Sequence, residues 1–274
     1  MLEALFKYEF LQNAVIISVL ASIMCAVTGV ICTERKSVML SGGIAHTAYG
    51  GVGLGYLLGF EPIIGAAFFA VAAAFLIGYI SRRSKGNSDT ATALLWSFGM
   101  ALGIAFIGLM PGYPPDINSY LFGNILSVTH TDIFLAIPLA AAMLIIISVF
   151  FRDWQSFLFD REFAEISGLR TSLLENVLLV MTALTIVLLI KATGIILVIA
   201  MLSAPASSAA FITKGLKARM IAAFLFGIFF CFTGIFISYE LSISSGAAIV
   251  FTSVITYFLI MFLSKRKKIK QQRN

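Results

Sequence analysis

The sequence predicts an all-α membrane protein, a polytopic transmembrane helical bundle of about nine helices. Of its 274 residues, 60% are hydrophobic and only 12% are charged, whereas soluble domains carry about 25% charged residues. The apolar runs are long and continuous, close to the roughly 20 residues that a helix needs to cross the hydrocarbon. A transmembrane β-barrel would show short segments of alternating polarity instead. Composition therefore excludes a soluble domain.

Nine apolar runs follow one another along the chain, and a count of eight remains open. The weakest run is 194–212, because Pro205 lies in the small, polar stretch 203–208 and removes a backbone donor. This predicts a helix that breaks at Pro205 inside the bundle, since a broken membrane helix must be surrounded by protein or water. No repeat divides residues 1–274, which are expected to form one domain. The runs are 11–32, 38–59, 62–81, 90–110, 131–151, 172–190, 194–212, 218–238 and 246–263.

Basic residues orient the bundle because they fall in alternate loops. Membrane proteins keep Lys and Arg on the cytoplasmic side, so nine crossings place the N-terminus outside and the C-terminus in the cytoplasm. The first run has no cleavage site and is expected to remain a membrane helix. The net charge of +6 is then a topology signal and does not indicate a nucleic-acid partner. The basic groups are Arg35 and Lys36; Arg82, Arg83 and Lys85; Arg152, Arg161 and Arg170; Lys214, Lys217 and Arg219; and the tail 265–274.

Catalytic motifs are absent from the sequence. It has no P-loop, no G-x-S-x-G and no H-E-x-x-H, so the chain is expected to be neither an enzyme nor an ATPase. Its two histidines lie in distant segments, too few for a membrane metalloenzyme. Cys25, Cys32 and Cys231 lie in or beside apolar runs without C-x-x-C spacing, which indicates no disulfide framework and no zinc finger.

His46 is the ionisable residue placed deepest in an apolar run. It lies about eight residues into 38–59, roughly 12 Å from the cytoplasmic end. An ionisable residue at this depth is a candidate functional group, and imidazole is a common ligand of transition metals. The alternative is a neutral histidine hydrogen-bonded between helices.

Glycines divide the helix around His46 into two faces. Gly42, Tyr49, Gly50 and Gly53 share its face by helical periodicity, which predicts an open space beside the imidazole. A second stripe predicts close packing on a neighbouring helix. This stripe is Gly51, Gly55 and Gly59.

Acidic residues avoid the middle of every apolar run, which argues against a proton relay. Several lie instead in the outer loops, where they could draw cations to an entrance; the alternative is ordinary solvated loop charges. His130 is interpreted as an ordinary residue of the outer boundary. The outer acidic residues are Glu61, Asp116, Asp132 and Glu240.

Five segments resemble the membrane-spanning permease subunits of bacterial and archaeal ABC importers for zinc, manganese and iron. The resemblance implies a homodimeric, vitamin B12-importer-like permease in the prokaryotic cytoplasmic membrane. It also implies two cytoplasmic ATPase subunits that use the ATP, and an external metal-binding protein. This chain would bind no cofactor itself. The segments are 34–59, 116–126, 160–169, 191–213 and 237–250.

One position departs from the pattern of that family. The family has an aspartate four residues before the histidine of the second helix, and here this position is Gly42. Because manganese favours carboxylate oxygen and zinc accepts nitrogen and sulfur, the change disfavours a manganese preference. A metal chelate or another small cation becomes a more plausible cargo.

Two cytoplasmic segments are candidates for coupling to the ATPase. The resemblance places a short coupling helix between Pro205 and Arg219, and the rival segment is 160–169; either is alternatively a plain cytoplasmic loop. An ATP-independent secondary transporter of a small cation is the competing function. The candidate coupling residues are Pro205, Ser207, Ser208, Lys214, Gly215, Lys217 and Arg219 in the first segment, and Glu162 and Gly168 in the second.

Overall fold

The described part of the chain is helical throughout. A computed structural model describes residues 7–83, 88–112, 121 and 123–273, and these contain ten α-helices, one 3₁₀ turn and no strand. The prediction of an all-α protein is thus confirmed for these residues. The helices are α1 (Glu9–Glu34), α2 (Val38–Leu58), α3 (Pro62–Arg83), α4 (Ser88–Gly108), α5 (His130–Val149), α6 (Phe151–Phe159), α7 (Arg161–Ile166), α8 (Thr171–Ile212), α9 (Leu216–Leu241) and α10 (Ser245–Arg273), with the 3₁₀ turn at Ile125–Ser127 before α5.

Seven of the described helices are long and apolar enough to cross a membrane, namely α1, α3, α4, α5, α8, α9 and α10. By length and composition, the described helices therefore give seven membrane crossings, whereas the sequence predicts about nine. Helix α2 is not among the seven, although its 21 residues are long enough. Its six glycines and His46 lower its mean hydropathy. The other difference lies in α8, which has 42 residues.

Helix α8 is a hairpin that reverses at Gly194. This residue has φ 75° and ψ 161°, a conformation that glycine adopts without steric cost. The Thr182 hydroxyl lies 3.8 Å from Cys32 Sγ, whereas a Cβ on Gly29 would collide with the carbonyl of Leu202. Residues on both sides of Gly194 thus contact neighbouring turns of α1. In a straight helix they would be about 30 Å apart.

The predicted break at Pro205 is wrong. Helix α8 continues through Pro205 to Ile212, and the chain turns eleven residues earlier, at Gly194. A proline removes one backbone hydrogen bond, and buried Ala204 and Ala206 leave room around its ring. A left-handed glycine changes the direction of the chain itself. The predicted boundary between runs 172–190 and 194–212 nevertheless coincides with this turn.

Helix α2 packs between α3 and α4 through its glycines. A Cβ on Gly51 would collide with the carbonyl of Gly65 in α3, and one on Gly55 would lie 2.7 Å from Cα of Pro62. The other face meets α4, where a Cβ on Gly53 would lie 2.6 Å from the carbonyl oxygen of Gly103. Helix α2 is therefore held by close backbone contact on two sides.

Gly59 does not extend this packing, contrary to the predicted stripe. It follows the last residue of α2 as its C-cap, with φ 73°, and a Cβ placed there would have no neighbour within 4 Å. Its role is to end the helix in the left-handed conformation, as glycine often does. The helical wheel cannot distinguish this role because Gly59 continues the four-residue spacing of the stripe.

Candidate functional site

His46 is held by its own helix. Its Nδ1 lies 2.9 Å from the carbonyl oxygen of Gly42, one turn earlier. A carbonyl oxygen only accepts, so Nδ1 donates and Nε2 of the neutral ring carries the lone pair. In the described part of the chain, no residue forms a hydrogen bond with Nε2. The side chain is partly exposed, and this nitrogen is free to act as a ligand.

The imidazole face is covered by an indole. Trp96 of α4 stacks on His46, with ring centroids 3.9 Å apart and an interplanar angle of 20°. The same ring lies over Gly42, where a Cβ would be 2.8 Å from the indole carbon Cζ3. The open space predicted beside His46 is therefore occupied by Trp96. The prediction differs from the structure because a helical wheel shows a shared face, but not what packs on it.

A single chain provides no complete metal site among its described residues. No group of three or more His, Cys, Asp or Glu side chains comes together there. His46 is thus an isolated nitrogen ligand within one copy. A second copy, or the water around a moving ion, would have to supply the remaining ligands.

The predicted acidic entrance is not assembled within the described residues. Asp116 lies outside them. Glu240 is exposed in the last turn of α9, and Glu61 is exposed before α3. Asp132 caps α5 and lies 3.0 Å from the Lys191 ammonium, so its charge is already paired. His130 is exposed and pairs with Glu9. Among the described members of this group, no side chain forms a hydrogen bond or an ion pair with His46.

A buried carboxylate organises the end of the bundle that carries the basic loops, called here the basic end. Glu175 of α8 is 6% exposed, and its oxygens lie 3.1 Å from Arg35, 3.7 Å from Arg82 and 3.5 Å from Arg161. Burial lowers the pKa of the Arg35 guanidinium, and the charge of Glu175 opposes that shift. One carboxylate therefore connects α8 with the end of α1, α3 and α7.

The two candidate coupling segments meet at one groove of about 550 Å³. Residues 155–163 form one wall, and residues 214–219 form another wall together with Glu34, which pairs with Arg219. Phe159 and Phe163 leave apolar surface exposed beside this groove. The two segments are thus parts of a single surface at the basic end.

The individual coupling residues fall into two groups. Pro205 and Ser208 are buried inside α8 and Ser207 is partly buried, so a separate coupling helix does not begin at Pro205, and the exposed residues of that segment lie between Phe211 and Arg219. Gly168 is an exposed turn residue with φ 86°. The remaining candidates are at the surface, exposed at Glu162, Lys214, Gly215 and Lys217 and partly exposed at Arg219.

Comparison with known proteins identifies the family. The model of the ABC 3 transport family matches residues 7–264. The chain belongs to the ABC 3 transport family.

Relatives of this ABC 3 family member are named as metal transport proteins. It is 33% identical to the "Manganese transport system membrane protein MntC" of Listeria monocytogenes, over 97% of this chain and 95% of that protein. It is 29% identical to the "Probable iron transport system membrane protein" of Haemophilus influenzae, over 94% of this chain and 95% of that protein. A solved structure titled "PsaBC from Streptococcus pneumoniae in complex with Fab" matches with a TM-score of 0.87 and 32% identity, over 100% of this chain and 98% of that chain.

Sequence reasoning missed two residues of this ABC 3 family chain. Trp96 appeared only as an apolar residue of the fourth run, and nothing local links it to a histidine two helices earlier. Glu175 had a usable signal, because it is the only carboxylate inside the run 172–190. A carboxylate there should be paired with a cation, and arginines occur at the ends of neighbouring runs.

Proposed function

We propose that the chain is the permease subunit of an ATP-driven ABC importer. Its cargo is a divalent transition-metal ion, zinc, manganese or iron, or a chelate of one, carried across the cytoplasmic membrane of a prokaryote. The observation that carries the proposal is the match of nearly the whole chain to relatives named for manganese and iron transport. The isolated imidazole of His46 supports it, because it offers a nitrogen ligand within a transmembrane helix.

The working assembly in this proposal is a homodimer with two cytoplasmic ATPase subunits and an external metal-binding protein. The dimer is supported by the isolation of His46, because no group of three or more His, Cys, Asp or Glu side chains comes together among the described residues of one copy, and a second copy could supply further ligands. ATPase binding is supported by the groove at the basic end, where apolar and cationic side chains are exposed together. ATP binding and hydrolysis on the partners would switch the two copies between outward-open and inward-open states. Cargo would enter near Asp116 and Glu240 and pass His46.

We further propose that the chain crosses the membrane nine times, with its C-terminus in the cytoplasm. Helix α2 adds one crossing to the seven apolar helices because it packs along its length against α3 and α4. The reversal of α8 at Gly194 adds another. The basic end then faces the cytoplasm, in agreement with the positive-inside rule.

Cysteine labelling tests this topology. In intact cells, a membrane-impermeant maleimide is expected to label Lys191→Cys, beside the reversal, and to label Lys214→Cys only after permeabilisation. Both lysines are exposed. The wild-type chain is the control, because Cys25, Cys32 and Cys231 are buried. Labelling of both variants from the same side would contradict two crossings by α8.

ATP dependence distinguishes the importer from an ATP-independent secondary transporter. With the ATPase subunits and the external binding protein in vesicles, metal uptake is expected to require ATP. Uptake by this chain alone, driven only by an ion gradient, would reject the importer.

A further inference from the structure

Two contacts fix the ring of His46, the stack with Trp96 and the hydrogen bond to the Gly42 carbonyl. The indole covers one face of the imidazole at 3.9 Å. The bond of Nδ1 to the Gly42 carbonyl fixes the ring so that Nε2 is the free nitrogen. Trp96 also fills the space over Gly42, where even a Cβ would be 2.8 Å from the ring. No oxygen ligand or cluster of water has room at that position.

The polar groups next to the stack are already engaged. The Thr47 hydroxyl donates to the carbonyl of Gly43 at 2.7 Å, and the carbonyl of Leu95 lies 3.1 Å from it. Met39, seven residues before His46 and so on the same helix face, is half exposed. In the described part of the chain, this helix face therefore carries a nitrogen and, about 10 Å along the helix, a thioether sulfur, and it carries no carboxylate.

Ligand chemistry then separates the candidate cargoes. Nitrogen and sulfur ligands suit zinc and the later first-row ions, whereas carboxylate and water oxygen suit manganese. Manganese also has the lowest affinity for a given nitrogen site in the divalent series. A path built from imidazole and indole favours zinc or iron over manganese, although several relatives are named for manganese.

We propose that Trp96 is a specificity-determining residue of the path, which selects nitrogen-binding ions by holding His46 with Nε2 exposed and by excluding oxygen ligands from the space over Gly42. The inference rests on the proposed function, since it assumes that metal ions pass His46. It goes further in assigning a role to Trp96 and a class of ion to the path.

Competition between metals in the full importer tests the role in transport. Trp96→Leu removes the indole and opens the space over Gly42. The ratio of zinc to manganese uptake is therefore expected to fall about tenfold, which corresponds to about 1.4 kcal/mol. Trp96→Phe keeps an aromatic ring on His46 and is expected to change the ratio less than threefold. Phe98→Leu, an exposed aromatic on the same helix, is the matched control with no expected change.

Tryptophan fluorescence tests the metal contact without transport. The chain has two tryptophans, so a Trp154→Phe background leaves Trp96 as the only indole. In the purified protein, zinc chloride is expected to change its emission saturably, and manganese chloride is expected to need at least tenfold higher concentration. Adding His46→Gln is expected to abolish the response to zinc.

The outcomes separate this inference from the proposed function. An unchanged zinc-to-manganese ratio in Trp96→Leu, in an importer that still uses ATP, overturns the role of Trp96 alone. An emission response that persists in His46→Gln also overturns it, because the metal would then bind elsewhere. Loss of ATP dependence in the wild-type importer rejects the proposed function, while a saturable response that requires His46 would still support the metal contact.

Discussion

Replacing His46 with Ala is expected to reduce ATP-driven metal uptake at least about tenfold, because loss of even the outer partners of a metal ligand typically lowers metal affinity or activity about 10–100-fold. Within the described residues, the imidazole is the one nitrogen ligand in the middle of α2, and its Nε2 carries a free lone pair. Radioactive zinc or manganese uptake in cells that depend on this importer would measure the loss.

The control for this variant is His130→Ala. His130 is the second of two histidines in the chain, is exposed, and pairs with Glu9, which is also exposed. Its replacement is expected to leave uptake unchanged. Both variants should elute from a sizing column as wild-type does, because neither side chain carries a large part of the core. Equal uptake by His46→Ala and wild-type would exclude His46 from the path.

Replacing Glu175 with Ala is expected to cause the largest loss of stability. It leaves three guanidinium groups around a buried position without their counter-charge, and breaking a buried ion pair in this way typically costs about 3–5 kcal/mol. The pairs concerned are those with Arg35, Arg82 and Arg161. Thermal unfolding of the purified chain in detergent would show the loss as a lower midpoint temperature.

Glu165→Ala is the matched control for Glu175→Ala. Glu165 also pairs with Arg161, at 3.1 Å, but it is exposed, and exposed ion pairs contribute little to stability. Hydrogen bonds from Thr171 and Arg161 lower the pKa of the Glu165 carboxyl, so it remains charged at neutral pH. If the two variants had the same unfolding midpoint, the ion pairs of buried Glu175 would contribute no more to stability than the exposed pair of Glu165 does.

The sequence predicts the helices of this protein better than the contacts between them. Apolar runs reveal where membrane helices lie because the bilayer demands about 20 apolar residues for each crossing. The position of Gly194 as the turn is not visible in this way, since glycine also occurs inside α2. Proline at 205 is the stronger local breaking signal, yet packing around small residues accommodates it.

The candidate site is only half visible in the sequence. His46 is apparent because a titratable residue in an apolar run is rare. Trp96 is not, because its contact with His46 joins residues of two helices, and an apolar run contains no information about which neighbour it meets. Glu175 likewise has its partners in three distant segments. Such contacts depend on how the helices pack. For His46 and Trp96, the packing is set by glycines of α2 that let its backbone approach those of α3 and α4 closely.

The two candidate coupling segments converge because of the fold. The segments 160–169 and 205–219 are separate candidates in the sequence, but α6, α7 and the start of α9 bring 155–163 and 214–219 to one groove. A partner that binds there would contact both segments. Arg161, at the start of α7, also reaches Glu175, so the groove is physically connected to the buried ion pairs.

The most direct test of the central claim is metal uptake by the complete importer in proteoliposomes. Vesicles would contain this chain with its ATPase subunits, and the external binding protein loaded with zinc or manganese would be added outside. We expect accumulation with enclosed ATP and none with a non-hydrolysable analogue or with an ATPase subunit unable to hydrolyse ATP. Equal accumulation in vesicles that hold this chain without ATPase or ATP would contradict its assignment as the permease of an ATP-driven importer.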